Sequence, residues 1–274
     1  KTAQQVYEGY LTFVANVRAA LPETPIYYIS ITPTPSRWAL WPIAREANEL
    51  IQTHAAAAAD HLYFIDLTDA ILVGATTYAW NASDAKMTGC LTDKPVGKDV
   101  SDLPYGEMIA AHAAWCETGG REGAPSVFDN ADLRSLKSLK GLNLPALSGR
   151  GAVFYGLDLE GVQMQGAMLE GADFRGANLR RADLRGARLK GAKLSGADLR
   201  DAHLGPLIIG PDRTLPCDLT GATLKNCDLA RADLRQARLN GADLSRANFT
   251  NANLREADFT GVVRTGARGL EDTI

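Results

Sequence analysis

The chain has 274 residues, which is enough for one or two domains. Its 29 Lys and Arg residues nearly balance its 32 Asp and Glu residues, so overall charge does not indicate nucleic acid or an anionic membrane as a partner. We expect neither a membrane span nor a signal peptide, because no apolar run is long enough for either. The four cysteines lack CxxC or zinc-ligand spacing, which predicts a reduced, cytoplasmic protein with no metal site.

Residues 1–80 have the pattern of an α/β segment. The apolar runs IYYISI (26–31) and HLYFID (61–66) are typical of buried parallel strands. The stretch IAREANELIQTHAAAA between them supplies a crossover helix, which completes a partial βαβ unit. A first helix is predicted by an apolar stripe at helical spacing, formed by Val6, Tyr10, Phe13, Val14 and Val17.

Within residues 1–75, the stretch YYISITPTPSRWALWPIAREANELI resembles the middle of SGNH-type (GDSL) ester hydrolases. The resemblance implies a hydrolase fragment without its catalytic blocks, since no GDS block precedes it and DLTDAILVGATTYAWNASD contains no His. A serine nucleophile needs a base and an oxyanion hole within reach. Ser30, Ser36 and His54 are the nearest candidates, and we interpret them as structural positions. The sequence therefore predicts no catalytic residue and no enzyme, with a remnant ester hydrolase as a disfavoured alternative.

Residues 81–104 are predicted to be a linker, and residues 105–150 a helical lead-in with an irregular first coil. The stretch DLPYGEMIAAHAAWCETGGREG (102–123) predicts a helix that ends at Gly119-Gly120. We expect this helix to cap the repeat region, because an uncapped coil exposes unpaired backbone groups. His112 and Trp115 share one of its faces, and a single His does not indicate a metal or catalytic site.

Residues 151–262 repeat with a period of five, which neither a strand nor an α-helix has. Each unit has a Leu or Phe at its centre and a small residue two positions earlier, so both are predicted to face inward. A corner follows, where Gly is common. Four units then form one square coil, and the centres from Phe154 to Phe259 give 22 units. Leu133 and Leu144 are 11 residues apart, which predicts an irregular connection between them.

The repeated phrase, as in Ala172-Asp173-Phe174-Arg175-Gly176, resembles the A(D/N)LxG motif of the pentapeptide-repeat family over residues 131–262. The resemblance implies a mainly β fold, a right-handed quadrilateral parallel β-helix of the kind found in bacterial proteins, followed by a tail at 263–274. Residues 20 apart should stack, which pairs Phe154 with Phe174. The same rule predicts a column of Leu159, Leu179, Leu199, Leu219 and Leu239.

Residues 205–216 (GPLIIGPDRTLP) interrupt the motif without changing its register. The favoured interpretation is a distorted but continuous path, with Ile209 at a centre and Pro206, Pro211 and Pro216 at corners. The alternative is a loop between Leu204 and Leu219, which would shift all later faces by half a turn. Cys217 and Cys227 fall on inward positions of opposite faces, where we expect them to replace Ala.

The predicted function is a non-catalytic protein-interaction or scaffold module whose protein partner the sequence does not identify. The resemblance also offers mimicry of DNA toward a type II topoisomerase such as DNA gyrase. The repeat disfavours this, because residues 152–262 carry 15 basic and 14 acidic residues, and residues 172–204 carry 8 and 4. Candidate surface-binding residues are the basic ones after successive centres, Arg175, Arg180, Arg185, Lys190 and Arg200, although a solvated, self-neutralised surface is the favoured interpretation.

Nucleic-acid binding by this basic row is disfavoured, because aromatic residues do not alternate with the charges. No cofactor is predicted. A homodimer formed through the last coil is a possibility that the family resemblance offers. The tail VVRTGARGLEDTI provides only Val262, Val263 and Leu270 for such an interface.

Overall fold

The chain divides into two units, residues 1–94 and 95–274, and the division lies inside the predicted linker. The computed structural model describes residues 2–20, 46, 50, 70–73 and 90–270. Within the first unit, helix α1 spans Ala3–Ala20, and a parallel bridge joins Ile71 to Leu91. The predicted strands at 26–31 and 61–66 lie outside the described residues, so the βαβ unit stays a prediction.

Helix α1 confirms the helix predicted at the start of the chain, with one correction in its apolar stripe. Ala3 is buried and Tyr10, Val14 and Val17 are half-buried, whereas Phe13 is 56% exposed. Including Phe13 in the buried stripe was therefore wrong. At 100° per residue Phe13 lies at the edge of the stripe, outside the arc that the other residues occupy.

The second unit begins with a lead-in that packs on the first coil. Strand β1, Lys98–Asp99, pairs in parallel with strand β2, Ala131–Asp132. Helix α2 spans Tyr105–Glu117. The chain leaves α2 through Gly119 and Gly120, both with positive φ, as expected for a glycine that terminates a helix.

From residue 127 onward the chain forms a repeat β-helix whose coils are joined by single parallel bridges. In each unit the inward centre opens a four-residue turn, as where the N–H of Leu157 donates to the carbonyl of Phe154 at 3.1 Å. The outward residue before each centre bridges to the equivalent residue of the next coil, as Val153 does to Asp173. A turn every five residues thus closes a square, and ladder hydrogen bonds stack the squares.

The bridges run in four columns, which define four faces of the β-helix. Face A contains Asp132, Val153, Asp173, Lys193, Thr223, Asp243 and Val263, and face B contains Ser138, Asp158, Asn178, Asp198, Asp228, Asn248 and Arg268. Face C contains Asn143, Gln163, Asp183, His203, Asp233 and Asn253, and face D contains Val127, Ser148, Met168, Arg188, Asp218, Arg238 and Asp258.

The corners between faces require a left-handed backbone at the second residue after each centre. Gly occupies most of these positions, as at Gly171 with φ +67° and Gly186 with φ +65°. Residues with a side chain adopt the same conformation at other corners, including Ala146 (φ 56°), Arg181 (φ 55°) and Gln236 (φ 56°). The left-handed corner is thus set by the coil geometry, and it holds even where the residue carries the steric cost of a Cβ.

The interior is filled by the centres and by the small residues two positions before them. The Phe154 and Phe174 rings stack with centroids 4.5 Å apart, which confirms their predicted pairing. On face D the centre of the same coil is Gly149. A Cβ at Gly149 would lie 3.3 Å from the Phe154 ring and from Leu169, so the missing side chain leaves room for the phenyl ring.

An irregular connection lies between Leu133 and Leu144, as predicted. Residues Arg134–Leu136 form a 3-10 helix, and Lys137 then adopts a positive φ of 62°. The extra residue is accommodated there, because the bridges from Asp132 and Ser138 join residues 153 and 158 and so differ in span by one residue. The regular coil resumes from Leu139.

Residues 205–216 leave the coil as a β-hairpin, called the hairpin below. Strand β3, Leu207–Gly210, pairs antiparallel with strand β4, Arg213–Leu215. Bridges across it join residues 30 apart, such as Arg188 and Asp218, instead of 20 apart. The favoured continuous path was therefore wrong, and the alternative loop is the observed structure.

The prolines explain why the continuous path fails. Pro206, Pro211 and Pro216 fall on the position that needs a positive φ, whereas the proline ring fixes φ near −65°. The units centred on Ile209 and Thr214 thus leave the stack. Leu219 consequently follows Leu204 directly and shares the column of Leu189, whose N–H donates to Asp218 at 2.7 Å. The predicted column through Leu219 and Leu239 is wrong beyond Leu199.

Candidate interaction surfaces

The hairpin folds back on the corner between faces C and D, which two glycines make accessible. A Cβ at Gly186 would lie 2.7 Å from Cβ of Leu207 and 3.1 Å from the carbonyl oxygen of Leu215. At Gly166, one coil earlier, the Cβ position lies 3.6 Å from Cδ2 of Leu207. Gly186 is buried as a result, whereas Gly171 at another corner is exposed. The leucines of the two strands therefore attach the hairpin to the β-helix.

The end of the hairpin presents two isoleucines to solvent. Ile208 is 76% exposed and Ile209 is 48% exposed. Asp212 and Arg213, in and after the turn, are exposed and carry opposite charges. Adjacent exposed apolar side chains on a protruding element are typical of protein contact sites. The sequence interpretation missed this surface, and the signal that could have found it was proline at positions where every other repeat needs a positive φ.

The five basic residues proposed as a binding row do not form one surface. Arg175 lies at the corner between faces A and B, Arg180 and Arg200 between B and C, Arg185 between C and D, and Lys190 between D and A. Because one coil visits all four corners in 20 residues, consecutive repeats point in four different directions. The row seen in the sequence is thus distributed around the β-helix.

Three of the five are also paired within their own repeat. In each, the guanidinium binds the aspartate two residues earlier, as where Arg185 donates from Nε at 2.9 Å and from Nη2 at 2.6 Å to Asp183. Arg175 and Asp173 form the same pair and are both buried. The hydrogen bond with Asp183 raises the pKa of Arg185. These pairs neutralise charge locally, so the basic excess of the sequence does not become a basic patch.

Arg180 and Lys190 differ from these three. Lys190 is exposed, while Arg180 is half-buried and its Nε has no hydrogen-bond partner within the described chain. The backbone N–H of Arg180 donates to the Asn178 side chain at 3.3 Å. Two isolated cations on different corners offer little attraction to a polyanion, because exposed charges are screened by salt.

The last coil is the least covered part of the β-helix. Its inward residues Ala257, Phe259 and Val262 are half-buried, whereas the inward residues of earlier coils are buried. Arg264 occupies a face A centre that is Leu or Phe in the preceding coils. Leu270 is buried and packs at the end of the core. One half of this end is thus apolar and the other half polar.

Nothing in the described part of the chain has the form of a catalytic or metal centre. No group of three or more His, Cys, Asp and Glu residues within it could hold a metal ion. Ser30, Ser36 and His54 lie outside the described residues. Cys217 and Cys227 are free and buried, and burial raises the pKa of both thiols, that of Cys227 to about 12. Both side chains are therefore neutral and inert, in the place of Ala.

None of the described helices combines the length and the apolar character that crossing a bilayer requires. Such a helix would need roughly twenty predominantly apolar residues. Helix α1 has 18 residues but is exposed along much of its length.

The coils and corners define a solenoid of five-residue repeats, and comparison with known proteins agrees with this class. The family model described as Pentapeptide repeats matches eight copies, over residues 168–205, 217–255 and 227–263. The repeat region of this chain belongs to the pentapeptide-repeat family. No curated protein is similar enough to the sequence to count as a match. Neither the family match nor the similar structures support a hydrolase resemblance for residues 1–75.

Several solved structures are similar to the chain. HetL, a pentapeptide repeat protein involved in heterocyst differentiation regulation from the cyanobacterium Nostoc sp. Strain PCC 7120, is 27% identical over 53% of this chain and 81% of HetL, with a TM-score of 0.28. A trypsin-treated form of QnrB1, a plasmid-mediated fluoroquinolone resistance protein, is 21% identical over 53% of this chain and 70% of QnrB1, with a TM-score of 0.29. Rfr23 from the cyanobacterium Cyanothece 51142 is 22% identical over 49% and 92%, with a TM-score of 0.19.

Proposed function

We propose that this chain is a non-catalytic protein-interaction module and that the hairpin carries the main contact. The observation that supports this is the exposure of Ile208 and Ile209 at the end of an element fixed to the β-helix by Leu207 and Leu215. Burying an exposed Ile side chain contributes about 1.5–3 kcal/mol. Fixing the hairpin beforehand reduces the conformational entropy that binding would otherwise cost. The two isoleucines are therefore the anchor we expect in a protein interface.

The charge around the hairpin favours an electroneutral, apolar partner surface. Asp183 and Asp233 on face C are each paired with the arginine two residues later in their own repeat. The hydrogen bond from Arg235 is the main cause that lowers the pKa of Asp233, so this pair stays ionised and internally compensated near neutral pH. A polyanion would find no excess of positive charge here.

A pull-down from the native host tests this proposal. We compare the wild-type chain with a variant that combines Ile208→Ser and Ile209→Ser, and with the control Val263→Ser, which changes an exposed apolar residue of the last coil. We expect proteins recovered with the wild type and the control to be lost with the hairpin variant. Equal recovery by all three chains would show that the hairpin does not carry the contact.

DNA mimicry toward a type II topoisomerase is the alternative that this charge distribution disfavours. A mimic of duplex DNA must present a strongly negative surface, whereas the acidic residues here are paired with arginines of the same repeat, as Asp198 is with Arg200. A supercoiling assay with DNA gyrase tests this directly. Full inhibition at near-stoichiometric protein would overturn the charge argument.

Remnant ester hydrolysis by residues 1–80 is disfavoured because the family's catalytic blocks are absent. Turnover of p-nitrophenyl acetate that persists through purification would contradict this. The cytoplasmic location also stays a prediction. The basic residues Arg180 and Lys190 stay secondary candidates for a contact, as the exposed or unpaired members of the predicted row.

A homodimer through the last coil is a second proposal, supported by the half-buried Phe259 and Val262 and the exposed Val263. Arg264 would oppose close approach of a second copy on face A, because burying an unpaired charge is costly. We expect light scattering to give the mass of a dimer, and Phe259→Ser to reduce it to that of a monomer. A monomeric wild-type chain at high concentration would exclude this interface.

A further inference from the structure

His112 attaches helix α2 to the start of the β-helix through buried hydrogen bonds. Its Nδ1 accepts a hydrogen bond from the backbone N–H of Ser126 at 2.8 Å. The hydroxyl of Ser126 donates back to the carbonyl of Met108 at 3.1 Å, on the preceding turn of α2. The imidazole has no exposed surface, and Trp115 contacts it edge to face with centroids 5.8 Å apart. One His and one Ser thus join the helix to the chain that enters the first coil.

This arrangement requires the neutral imidazole. Because Nδ1 accepts from an N–H, the single proton of the neutral ring must be on Nε2. A second proton on Nδ1 would place two donors against each other and leave the N–H of Ser126 without an acceptor. Nε2 faces the Pro145 carbonyl outside good hydrogen-bond geometry, so it offers little compensation for a charge.

The groups around the imidazole do not stabilise a positive charge. From α2 they are Met108, Trp115 and Cys116, whose thiol pKa is raised chiefly by burial. From the other two segments they are Ser126 and Pro145. The charged residues nearest along these segments are Glu107 and Glu117, which are exposed, and Asp129, which is paired with Arg150. No carboxylate among the described residues acts on the pKa of His112.

We propose that His112 makes the attachment of α2 to the β-helix pH-dependent, so that acid releases the helix locally while the coils stay folded. Release would uncover Phe128, a buried centre of the first coil whose ring lies 6.1 Å from that of Tyr105. The coils from residue 139 onward are held by their own ladder of backbone bonds and contain no buried His. Acid therefore acts on the lead-in before it acts on the solenoid.

The direction follows from proton linkage. Burial is the main cause that lowers the pKa of His112 below its ordinary value of 6.5. Between this lowered pKa and 6.5, the released helix binds one more proton than the attached helix. The attachment is therefore at full strength above pH 6.5 and weakens as pH falls, with the opening constant rising about tenfold per pH unit in that interval.

Hydrogen exchange measured by mass spectrometry on the full chain tests the proposal. After correction for intrinsic exchange rates, we expect protection of residues 105–126 to fall about tenfold per pH unit below pH 6.5. Peptides from residues 160–200 serve as the internal reference and should keep their protection. Equal loss in both regions, or constant protection of 105–126 down to pH 4.5, would overturn the proposal.

Two variants and one spectroscopic measurement separate His112 from general acid effects. In His112→Asn the amide oxygen can still accept from Ser126 but does not titrate, so exchange of residues 105–126 should become independent of pH. The control His203→Gln changes an exposed His on face C and should keep the wild-type pH dependence. If His112→Asn fails to attach the helix, NMR titration of the wild-type imidazole decides. A His112 pKa at or above 6.5 contradicts the proposal.

Discussion

Gly186 offers the sharpest test of how the hairpin is held. The change is Gly186→Ala, compared with Gly171→Ala at another corner. Both glycines have nearly the same φ, +65° and +67°, so both variants carry the same left-handed strain of roughly 1 kcal/mol. The surroundings differ, because no atom lies within 4 Å of the Cβ position at Gly171. Gly171→Ala therefore measures the backbone term alone.

At Gly186 the added methyl group meets the hairpin. Its Cβ would lie 2.7 Å from Cβ of Leu207 and 3.2 Å from Cδ2 of Leu215, well inside normal contact distance. Inserting a methyl group into a packed site typically costs 1–3 kcal/mol unless the neighbour moves away. We therefore expect Gly186→Ala to lose about 2–4 kcal/mol in total, or to detach the hairpin from the corner.

Urea denaturation followed by circular dichroism measures the free energy of unfolding of both variants. Limited trypsin digestion reports the hairpin separately, because Arg213 follows its turn and becomes more accessible when the hairpin detaches. We expect Gly186→Ala to be less stable than Gly171→Ala, or to be cleaved faster at Arg213. If the two variants have equal stability and equal cleavage rates, the leucines do not attach the hairpin at Gly186.

Three further predictions concern the interior and the corners. Gly149→Val should lower the free energy of unfolding by about 1–3 kcal/mol, because its side chain would overlap the Phe154 ring, and unchanged urea stability would refute that packing. Cys217 and Cys227 should not react with a thiol reagent in the folded chain and should react fully in urea, since burial holds both thiols protonated; rapid labelling of the native protein would contradict their burial. Ala146→Gly should raise the melting temperature through a gain of roughly 1 kcal/mol, because Ala146 has a φ of 56°, and a lower melting temperature would argue against strain at this corner.

Much of the β-helix could be predicted from the sequence, because a period of five sets both the inward positions and the corners. Phe154 and Phe174 were paired correctly, and the extra residue between Leu133 and Leu144 was located correctly. These features are local, since one turn every five residues follows from the order of large, small and Gly residues along the chain. The stripe on α1 was less certain at its edge, where Phe13 is exposed.

The candidate site was predicted poorly, because it depends on how repeats are placed in space. Arg175, Arg185 and Arg200 have the same position in the motif, yet the square coil places them on three different corners. Each guanidinium also finds an aspartate two residues earlier, so charge that looked available in the sequence is compensated. A basic row along the chain is thus not a basic surface on the molecule.

By itself the sequence determined that the chain coils and which side chains face inward, since these follow from spacing within single repeats. Only the tertiary structure decided the path of residues 205–216. A continuous coil and an excluded loop keep the same register modulo five, so periodicity does not distinguish them. The choice depends on prolines that do not fit left-handed corners and on Leu207 and Leu215, which find Gly166 and Gly186 only when coils are stacked. That choice creates the hairpin and shifts every later face by half a turn.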